Sequence, residues 1–453
     1  MFNLSDFAGK KACVLGGGKS GKAVAELLAA HGMQVLISDG NPAASVSPSA
    51  SIEVETGGHT ARVLECGFIV KSPGVFPHSE ILQQAAQRQI PVFSELEVAL
   101  SFLPENVQIL AVTGTNGKTT TTTLLGEILK AQIAREKSAC RVLVCGNIGN
   151  PVSACVSQAQ AGDNLVIEVS SYQLEDSTYF HPHIAGLLNI TPDHLDHHGG
   201  MKNYIAAKAR IFKNQTVNDL AILNAADAIC AQLAEQLPGK CLAFSAQPKH
   251  WLKTDVFFDG DELIFSQGYH VRPPQLKGIH NVENAMAAAL MALAAGAAVQ
   301  DVQTAFNAFT AMEHRIETVA EINGITYIND SKATNLDSTI TALKSFEKER
   351  NIWLILGGRD KGASYEVLLP YLKDYCVEVL SIGECMDKID EELHGEFPIL
   401  RCGTLDQAVL FASQQASRGD IVLLSPACAS FDQFKSYEER GKVFKQLVAN
   451  LPR

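Results

Sequence analysis

The stretch at residues 113–120 has the sequence Thr-Gly-Thr-Asn-Gly-Lys-Thr-Thr, and it decides the fold of the region around it. The apolar run at residues 107–112 predicts a buried strand before it, and apolar residues at helical spacing follow over residues 121–131. A strand, a glycine-containing turn and a helix N-terminus form an anion site, because free backbone N–H groups and the helix dipole both favour a phosphate. The stretch therefore predicts a phosphate-binding loop.

This loop matches the pattern G-x-x-x-x-G-K-[ST] except at its first position, where Val112 replaces glycine. Lys118 would reach the outer phosphates, and Thr119 would offer a hydroxyl to a phosphate-bound Mg²⁺. The alternative is a polar turn with a surface lysine, but the flanking strand and helix favour a phosphate site. We therefore expect the protein to bind a nucleoside triphosphate.

The composition is typical of a soluble globular protein, with 46% hydrophobic and 19% charged residues among 453. That length predicts roughly three domains. The formal charge of −12 argues against a nucleic-acid partner, because phosphates would be repelled without a concentrated basic patch. The longest apolar run, at residues 285–299, is too short to cross a bilayer and predicts a buried helix. Eleven cysteines without paired spacing are typical of a reducing cytoplasm, so we expect a cytoplasmic protein that is not bound to a membrane.

The first segment contains a second glycine-rich turn, Gly-Gly-Gly-Lys-Ser-Gly at residues 16–21, between a strand and a helix. The next strand ends at Asp39. Together these features match the dinucleotide-fold fingerprint G-x-G-x-x-G, with an acid about twenty residues later. The alternative is that the glycines serve only a tight turn. We predict a Rossmann-like domain over residues 1–105.

The middle segment, over residues 106–311, is predicted to be a parallel sheet of the phosphate-loop ATPase kind. It places a carboxylate, Glu168, near the end of the apolar strand at residues 164–169. Burying that carboxylate is costly unless a cation or hydrogen bonds compensate, and Mg²⁺ is the obvious cation beside a nucleotide. A structural lysine or arginine is the alternative partner.

A histidine-rich stretch at residues 193–198, Asp-His-Leu-Asp-His-His, follows another predicted strand. Three histidines and two aspartates could suggest zinc, but no cysteine or fourth ligand stands at a helpful spacing. Its position at a strand end points to the phosphates instead, with His194 as the candidate residue. We expect His197 and His198 to be exposed loop residues.

Two further positions are ambiguous from the residues alone. Lys208 lies in a predicted helix with alanine neighbours, and a lone lysine there is more often a surface residue whose stem snorkels. Asn281 and Asn284 share one face at the start of the alanine-rich helix. They could cap that helix or hold a nucleotide base, and their spacing does not decide between the two.

The last segment begins with a predicted hairpin that ends in the stretch at residues 327–335, and strands and helices then alternate. Such strand–helix–strand units give a parallel sheet with sites at the strand C-termini. The stretch at residues 425–434 follows the last strand, and its polar and aromatic density exceeds what a turn requires. We predict a Rossmann-like domain over residues 312–453, which makes the whole chain a three-domain α/β protein.

Taken together, these stretches resemble the Mur ligases, ATP-dependent enzymes that add amino acids to the peptidoglycan precursor. The resemblance covers the whole chain and rests on the phosphate loop, Glu168, residues 193–196, and the pairs His280-Asn281 and His314-Arg315. Residues 329–335 and 425–437 look like the member that adds D-glutamate to UDP-N-acetylmuramoyl-L-alanine (UDP-MurNAc-L-Ala). That chemistry would proceed through an acyl phosphate, with Lys118 and Mg²⁺ stabilising charge on the transferred phosphoryl group.

The resemblance also implies roles for individual residues. Those implied around ATP are Gly114, Thr115, Asn116, Gly117, Lys118, Thr119, Thr120, Asn281, Asn284, Arg315, Asp330 and Lys332. The implied catalytic residues are Lys118, Glu168, His194 and Lys208. Of two Mg²⁺ ions, one would be held by Thr119 and Glu168 and the other by His194 and Lys208. Lys208 would act as an N-carbamate, because a free ammonium group cannot ligate a cation.

The implied contacts of the two other substrates also lie in several segments. UDP-MurNAc-L-Ala would be held by Gly18, Lys19, Ser20, Asp39, Ser72, Gly74, Asn147, Ser170, Gln173 and His194. D-Glutamate would be held by Thr334, Lys361, Ser430, Phe431 and Tyr437. Of these, Lys361 would form an ion pair with a carboxylate of the substrate. The expected oligomeric state is a monomer.

Three other interpretations remain open at the level of sequence. Another Mur-type or folylpolyglutamate-type amide ligase would share the phosphate loop but not residues 425–437. A Rossmann oxidoreductase that binds NAD through residues 16–21 would leave Lys118 and Glu168 unexplained. A nucleotide-gated binding protein without ligase activity is disfavoured by the cluster at residues 425–437.

Overall fold

The computed structural model describes residues 3–44, 46–76, 79–147, 149–248, 250–310 and 313–452. The chain forms two compact units. The first consists of Met1–Ile190, Gly200–Pro273 and Glu283–Ala308, and the second of Thr191–Gly199, Pro274–Val282 and Phe309–Arg453. The first unit contains two sheets and the second contains one. The predicted domain ranges stay predictions, and the boundary at residues 311 and 312 lies outside the described residues.

The N-terminal sheet has five parallel strands. They are β1 (Ala12–Leu15), β2 (Val35–Asp39), β3 (Ile52–Thr56), β4 (Phe68–Lys71) and β5 (Val92–Ser94), in the order β3-β2-β1-β4-β5. The helices are α1 (Lys19–Ala30), α2 (Glu80–Gln87) and α3 (Glu95–Leu100). Residues of α1 and α3 pack on one face of the sheet, and residues of α2 pack on the other.

The strand order of this sheet creates a binding crevice. The chain runs from β1 to β2 and β3 on one side of β1, and then crosses from β3 to β4 on the other side. The strand order therefore reverses beside β1, and a crevice opens there at the C-terminal ends of the strands. The Rossmann-like prediction is confirmed. Strand β3 was not predicted, because its residues Ile-Glu-Val-Glu-Thr form an edge strand whose Glu53 faces solvent and whose apolar signal is weak.

The central sheet has nine strands. They are β6 (Gln108–Thr113), β7 (Val142–Gly146), β8 (Asn164–Glu168), β9 (Ile184–Leu187), β10 (Leu220–Asn224), β11 (Lys240–Ser245), β12 (Val256–Phe258), β13 (Leu263–Phe265) and β14 (His270–Val271). The helices are α4 (Lys118–Glu136), α5 (Val152–Val156), α6 (Ser171–Glu175), α7 (Leu195–His198), α8 (Met201–Ala209), α9 (Ala228–Ala234), α10 (Ile279–Ala294) and α11 (Val299–Ala308). Helix α7 belongs to the second unit.

The strand order β14-β13-β12-β11-β10-β9-β6-β8-β7 places β6 between β9 and β8. The seven strands from β6 to β12 run parallel, and only β13 and β14 pair antiparallel. The parallel ATPase-like sheet is therefore confirmed. Helix α4 begins at Lys118 rather than at residue 121, because the threonine-rich first turn is buried against the sheet although it carries no apolar signal.

The C-terminal sheet has six strands. They are β15 (Glu317–Ile322), β16 (Ile325–Asn329), β17 (Ile352–Gly357), β18 (Cys376–Ile382), β19 (Ile399–Gly403) and β20 (Ile421–Leu424), in the order β15-β16-β20-β17-β18-β19. The helices are α12 (Leu336–Leu343), α13 (Leu369–Tyr375), α14 (Met386–Leu393), α15 (Leu405–Gln415) and α16 (Tyr437–Ala449). The predicted hairpin is β15–β16, and the other pairings are parallel.

The prediction for His197 and His198 is wrong. Both lie in the short helix α7, and His198 is only 4% exposed. Two adjacent polar residues after a strand look like a loop, but a single helical turn directs one of them inward. Elsewhere, all eleven cysteines are free thiols and eight of them are buried. Among the helices of the described ranges, none is long and apolar enough to cross a membrane.

Candidate active site

The phosphate loop joins β6 to α4 and ends in a left-handed residue. Gly117 has a φ of +85° and caps the N-terminus of α4. A Cβ atom at this position would lie 2.1 Å from Oδ1 of Asn284 in α10. Only glycine meets both conditions without strain, so the loop keeps its backbone close to α10. The main-chain N–H groups of the first turn of α4 point out of the helix N-terminus, where an anion is favoured.

Asn189, which the sequence analysis did not single out, holds this loop from the adjacent strand. Its main-chain oxygen accepts a hydrogen bond from Thr115 N at 2.9 Å. Its Oδ1 accepts one from Asn116 N at 2.8 Å, and its Nδ2 donates to Asn116 O at 3.1 Å. The residue follows β9, which pairs with β6. Asn189 could have been predicted as a loop contact only from the pairing of β9 with β6, and this pairing is not visible in the sequence.

Two lysines lie on the carbonyl side of the loop. Lys118 Nζ donates to the oxygens of Gly114 at 2.9 Å and Thr115 at 2.7 Å. Lys208 Nζ donates to the same Gly114 oxygen at 2.7 Å. The loop thus brings together two of the four residues for which a catalytic role is predicted.

The residue-level prediction of a surface position for Lys208 is wrong, because the side chain is 1% exposed. Lys208, Tyr204 and Ala207 are the buried residues of α8, so they form its packed face. The ammonium group lies 4.8 Å from the centre of the Tyr204 ring, and the Tyr204 hydroxyl lies 3.0 Å from Thr115 Oγ1. Burial of a charged group is tolerated here because it gains these partners.

Glu168 lies at the C-terminal end of β8, in register with Val112 of β6 and Gly146 of β7. It is 2% exposed. Asn147 Nδ2 donates to its Oε1 at 2.9 Å, so these two predicted site residues are in contact. Two further predicted residues, Ser170 and Gln173, form the reciprocal cap of α6, with Ser170 N donating to Gln173 Oε1 at 3.0 Å.

The crevice of the N-terminal sheet is a cavity of about 640 Å³. It is lined by seven of the residues predicted to bind the sugar nucleotide: Gly18, Lys19, Ser20, Asp39, Ser72, Gly74 and Asn147. Asp39 accepts hydrogen bonds from the main-chain N–H groups of Gly17 at 2.5 Å and Asn41 at 2.8 Å. His59 and Phe76 also line the cavity, and neither of them was a predicted site residue.

In the second unit, Asp193 forms the centre of a polar cluster. Lys361 Nζ lies 3.4 Å from its Oδ1, and Asn335 Nδ2 donates to its Oδ2 at 2.9 Å. His194 Nε2 lies 3.5 Å from the same Oδ2. His194 itself has a φ of +53°, an uncommon left-handed conformation for a histidine. The predicted residues His194 and Lys361 therefore share one carboxylate partner.

Asp330, which is buried, and His280, which is half-buried, are titratable groups of this unit. Burial raises the pKa of Asp330 to about 7, against the hydrogen bonds from Ser425 Oγ at 2.8 Å and Ile316 N. Burial, together with the charge of Arg315, lowers the pKa of His280 to about 4. Arg315 and Asp330 are both predicted to bind ATP. For both Asp330 and His280, these shifts favour the neutral form of the side chain, because low-dielectric surroundings disfavour charge.

Lys332 and Tyr437, predicted to bind ATP and D-glutamate respectively, are in contact. Lys332 Nζ lies 5.2 Å from the centre of the Tyr437 ring. Arg440, one turn later in α16, was not among the predicted site residues. Its buried guanidinium donates to Ser331 Oγ at 3.0 Å, Ser331 O at 2.8 Å and Cys428 O at 3.2 Å. An arginine in an amphipathic helix is normally exposed, so the sequence carries no signal for this link.

The remaining predicted residues for D-glutamate differ in exposure. Ser430 is buried, Thr334 is half-buried and Phe431 is 62% exposed. The two residues before Lys361 have partners of their own. Arg359 makes a two-pronged contact with Glu384, with both distances 3.1 Å, and Asp360 accepts from Lys388 Nζ at 2.9 Å.

Three family models match the chain in succession. They are the MurD-like N-terminal domain of Mur ligases at residues 10–94, the Mur ligase middle domain at residues 112–292, and the Mur ligase glutamate ligase domain at residues 314–428. Solved structures share the fold. A pseudomurein peptide ligase type C from Methanothermus fervidus has a TM-score of 0.62 at 18% identity, covering 98% of this chain and 100% of that one. The UDP-N-acetylmuramate-alanine ligase MurC from Thermotoga maritima has a TM-score of 0.62 at 19% identity, covering 97% and 99%.

Closer similarity is found among relatives of known name. A UDP-N-acetylmuramoylalanine–D-glutamate ligase from Elusimicrobium minutum (strain Pei191) is 54% identical over 452 residues, which is 100% of both chains. One from Koribacter versatilis (strain Ellin345) is 44% identical over 98% of both chains. The chain therefore belongs to the Mur ligase family, in the group of the UDP-N-acetylmuramoylalanine–D-glutamate ligases.

Proposed function

We propose that this protein is an ATP-dependent ligase that joins D-glutamate to UDP-MurNAc-L-Ala in peptidoglycan precursor synthesis. The observation that carries the proposal is the 54% identity over the whole chain to a relative with that name. The reaction forms an acyl phosphate on the alanine carboxylate, which the amine of D-glutamate then attacks. The products are an amide, ADP and phosphate.

The phosphate loop supports a triphosphate role. Gly114, Thr115, Asn116, Gly117, Lys118, Thr119 and Thr120 would surround the phosphates, with Asn281, Asn284, Arg315, Asp330 and Lys332 around the rest of ATP. The N-terminus of α4 and Lys118 both favour the negative charge that the γ-phosphoryl group carries during transfer. Lys118 would leave the carbonyl oxygens of its own loop when phosphate oxygens compete for it.

The donor set near the loop fits Mg²⁺. The hydroxyl of Thr119 and the carboxylate of Glu168 are hard oxygen ligands. Thr119 lies in the first turn of α4 and Glu168 at the end of β8, and both residues are 2% exposed. Magnesium would supply charge neutralisation between phosphate oxygens. His194 and an N-carbamate on Lys208 would hold a second ion.

The carbamate proposal depends on the environment of Lys208. As an ammonium it can only donate, as it does to the Gly114 carbonyl oxygen, so it cannot bind a cation. Addition of CO₂ to the neutral amine, with loss of one proton, replaces the ammonium with an anionic carboxylate. That group would provide the oxygen ligand that a buried lysine otherwise lacks.

The other substrates would be held by the predicted residues of each unit. UDP would lie in the cavity with Gly18, Lys19, Ser20, Asp39, Ser72 and Gly74, and the MurNAc-alanine part would contact Asn147, Ser170, Gln173 and His194. Thr334, Lys361, Ser430, Phe431 and Tyr437 would surround D-glutamate. We further propose that the enzyme acts in the cytoplasm as a monomer.

The test is phosphate release from ATP in the presence of UDP-MurNAc-L-Ala and a panel of amino acids that includes D- and L-glutamate. We expect release that requires D-glutamate, with an amide product of the corresponding mass. Release with a different amino acid would contradict the substrate assignment, and no release with any amino acid would contradict the ligase assignment.

A further inference from the structure

His59 lies in the sugar-nucleotide cavity, at a position to which no role has yet been given. It follows β3 by three residues, and β3 pairs with β2 in the parallel sheet. Asp39 ends β2. The two residues therefore follow neighbouring parallel strands and lie at the same C-terminal edge of the sheet.

A chain of hydrogen bonds sets the donor and acceptor roles of the His59 ring. Ser38 Oγ donates to Glu55 Oε1 at 2.6 Å and lies 2.8 Å from His59 Nδ1. Burial raises the pKa of Glu55, but hydrogen bonds from Ser38 and Thr60 outweigh it and hold the pKa below its ordinary value. The carboxylate is thus ionised and can only accept. Because Ser38 has a single hydroxyl proton and gives it to Glu55, its oxygen must accept from Nδ1–H of His59.

The neutral ring that carries its proton on Nδ1 has an acceptor at Nε2. This atom faces Gly40, the residue that follows Asp39. A Cβ atom at Gly40 would lie 3.8 Å from Nε2, and apart from Gly40 and its two chain neighbours no other heavy atom of the described residues lies within 4 Å of that position. The missing side chain leaves room for a ligand atom beside the imidazole.

The direction of a nucleotide in this fold places the base near His59. The glycine turn at the N-terminus of α1 suits the diphosphate, and the acid that ends β2 suits the ribose. The base then extends past β2 toward the end of β3. Uracil carries a hydrogen at N3, whereas cytosine carries a lone pair there, so a fixed acceptor distinguishes the two.

We propose that His59 Nε2 accepts a hydrogen bond from N3–H of the uracil, and that Ser38 and Glu55 position it by fixing its tautomer. This inference rests on the proposed function, because it names the group that recognises the base of that substrate. His59 would be a specificity residue for the uridine nucleotide.

The experiment compares the binding of UDP and CDP to the full-length protein by titration calorimetry. We expect the wild type to prefer UDP by about tenfold or more, since a mismatched polar pair is left unsatisfied. H59F should bind UDP about tenfold more weakly and lose most of that preference. S38A, which keeps the ring but frees its tautomer, should lie between the two. H394F is the matched control, because His394 is 81% exposed on another domain, and its preference should equal the wild type's.

Further arms of the experiment separate the alternatives. H59Q offers an amide oxygen as an acceptor and should retain part of the preference for UDP. A partial preference in H59Q would show that the loss in H59F does not come from misfolding, and the melting curve of H59F checks this directly. If H59F keeps the full preference for UDP, the proposal is overturned. If it instead loses discrimination between UDP and 2′-deoxy-UDP, His59 contacts the ribose, which also overturns it. Ligase activity of the wild type tests the proposed function separately from these binding measurements. In H59F, the KM for UDP-MurNAc-L-Ala should rise.

Discussion

The Nζ atom of Lys208 lies 2.7 Å from the main-chain oxygen of Gly114, which also accepts a hydrogen bond from Lys118 Nζ at 2.9 Å. Lys208, a residue of α8 that lies 94 positions away in the chain, therefore contacts the phosphate loop directly. Because of this contact, a chemical change at the Lys208 amine would alter the phosphate loop directly. The first prediction concerns that amine.

Lys208→Ala should be inactive and partly rescued by a short-chain carboxylate, which would replace the carboxylate of the proposed carbamate. The protein should also show a ¹³C NMR signal of a lysine carbamate after exposure to labelled bicarbonate, and the variant should lack it. The absence of both rescue and signal would remove the carbamate from the mechanism. Methionine at the same position is a second variant that preserves the buried volume.

Lys118→Ala should lower kcat by about 10²- to 10³-fold, because the variant lacks the preorganised positive charge of the lysine that stabilises the transferred phosphoryl group. Its melting temperature should stay close to that of the wild type. Lys130→Ala is the matched control on the same helix, because Lys130 is 53% exposed and pairs only with Glu127 one turn earlier among the contacts described. Equal activity of K118A and K130A would contradict the phosphate-loop assignment.

Gly117→Ala should reduce both stability and ATP affinity. It combines a left-handed backbone with a Cβ atom 2.1 Å from Asn284 Oδ1. Gly268→Ala offers a control at an almost identical φ, +86°, where apart from the residue itself and its two chain neighbours no heavy atom of the described residues lies within 4 Å of the new Cβ. The control should cost about 1–2 kcal/mol of unfolding free energy from backbone strain alone. Urea unfolding should show a clearly larger loss for G117A, and equal losses would refute the packing argument.

Asp330 should make stability depend on pH. Its pKa in the folded state, about 7, lies above the ordinary value of 3.8, so the folded state holds a proton that the unfolded state releases between these values. Its contribution is therefore fully present below pH 4 and is lost as the pH rises to 7. The slope is at most about 1.4 kcal/mol per pH unit.

The measurement is urea unfolding of wild type and Asp330→Asn between pH 4 and 8. The amide cannot titrate, so the difference in unfolding free energy between wild type and D330N should fall with pH over this range and level off above pH 7. Parallel pH curves for the two proteins would show that Asp330 titrates near its ordinary value when folded.

Sequence alone determined those parts of this protein whose physics is local. Hydrophobic runs of strand length, helical spacing and glycine turns repeat along the chain, so the three α/β regions and the phosphate loop followed from neighbouring residues. The identity of Lys118 and Glu168 as candidates followed in the same way, because each stands next to a strand end that a local pattern marks.

Only the tertiary structure decided which distant residues meet there. Lys208 looked like a surface lysine because an isolated helix does not show which face packs, and the structure buries that face against the loop. Asn189, His59 and Arg440 act through strand order or helix docking, which depend on pairings between residues far apart in the chain. Local patterns specify the elements, whereas burial and hydrogen-bond partners are set by how those elements assemble.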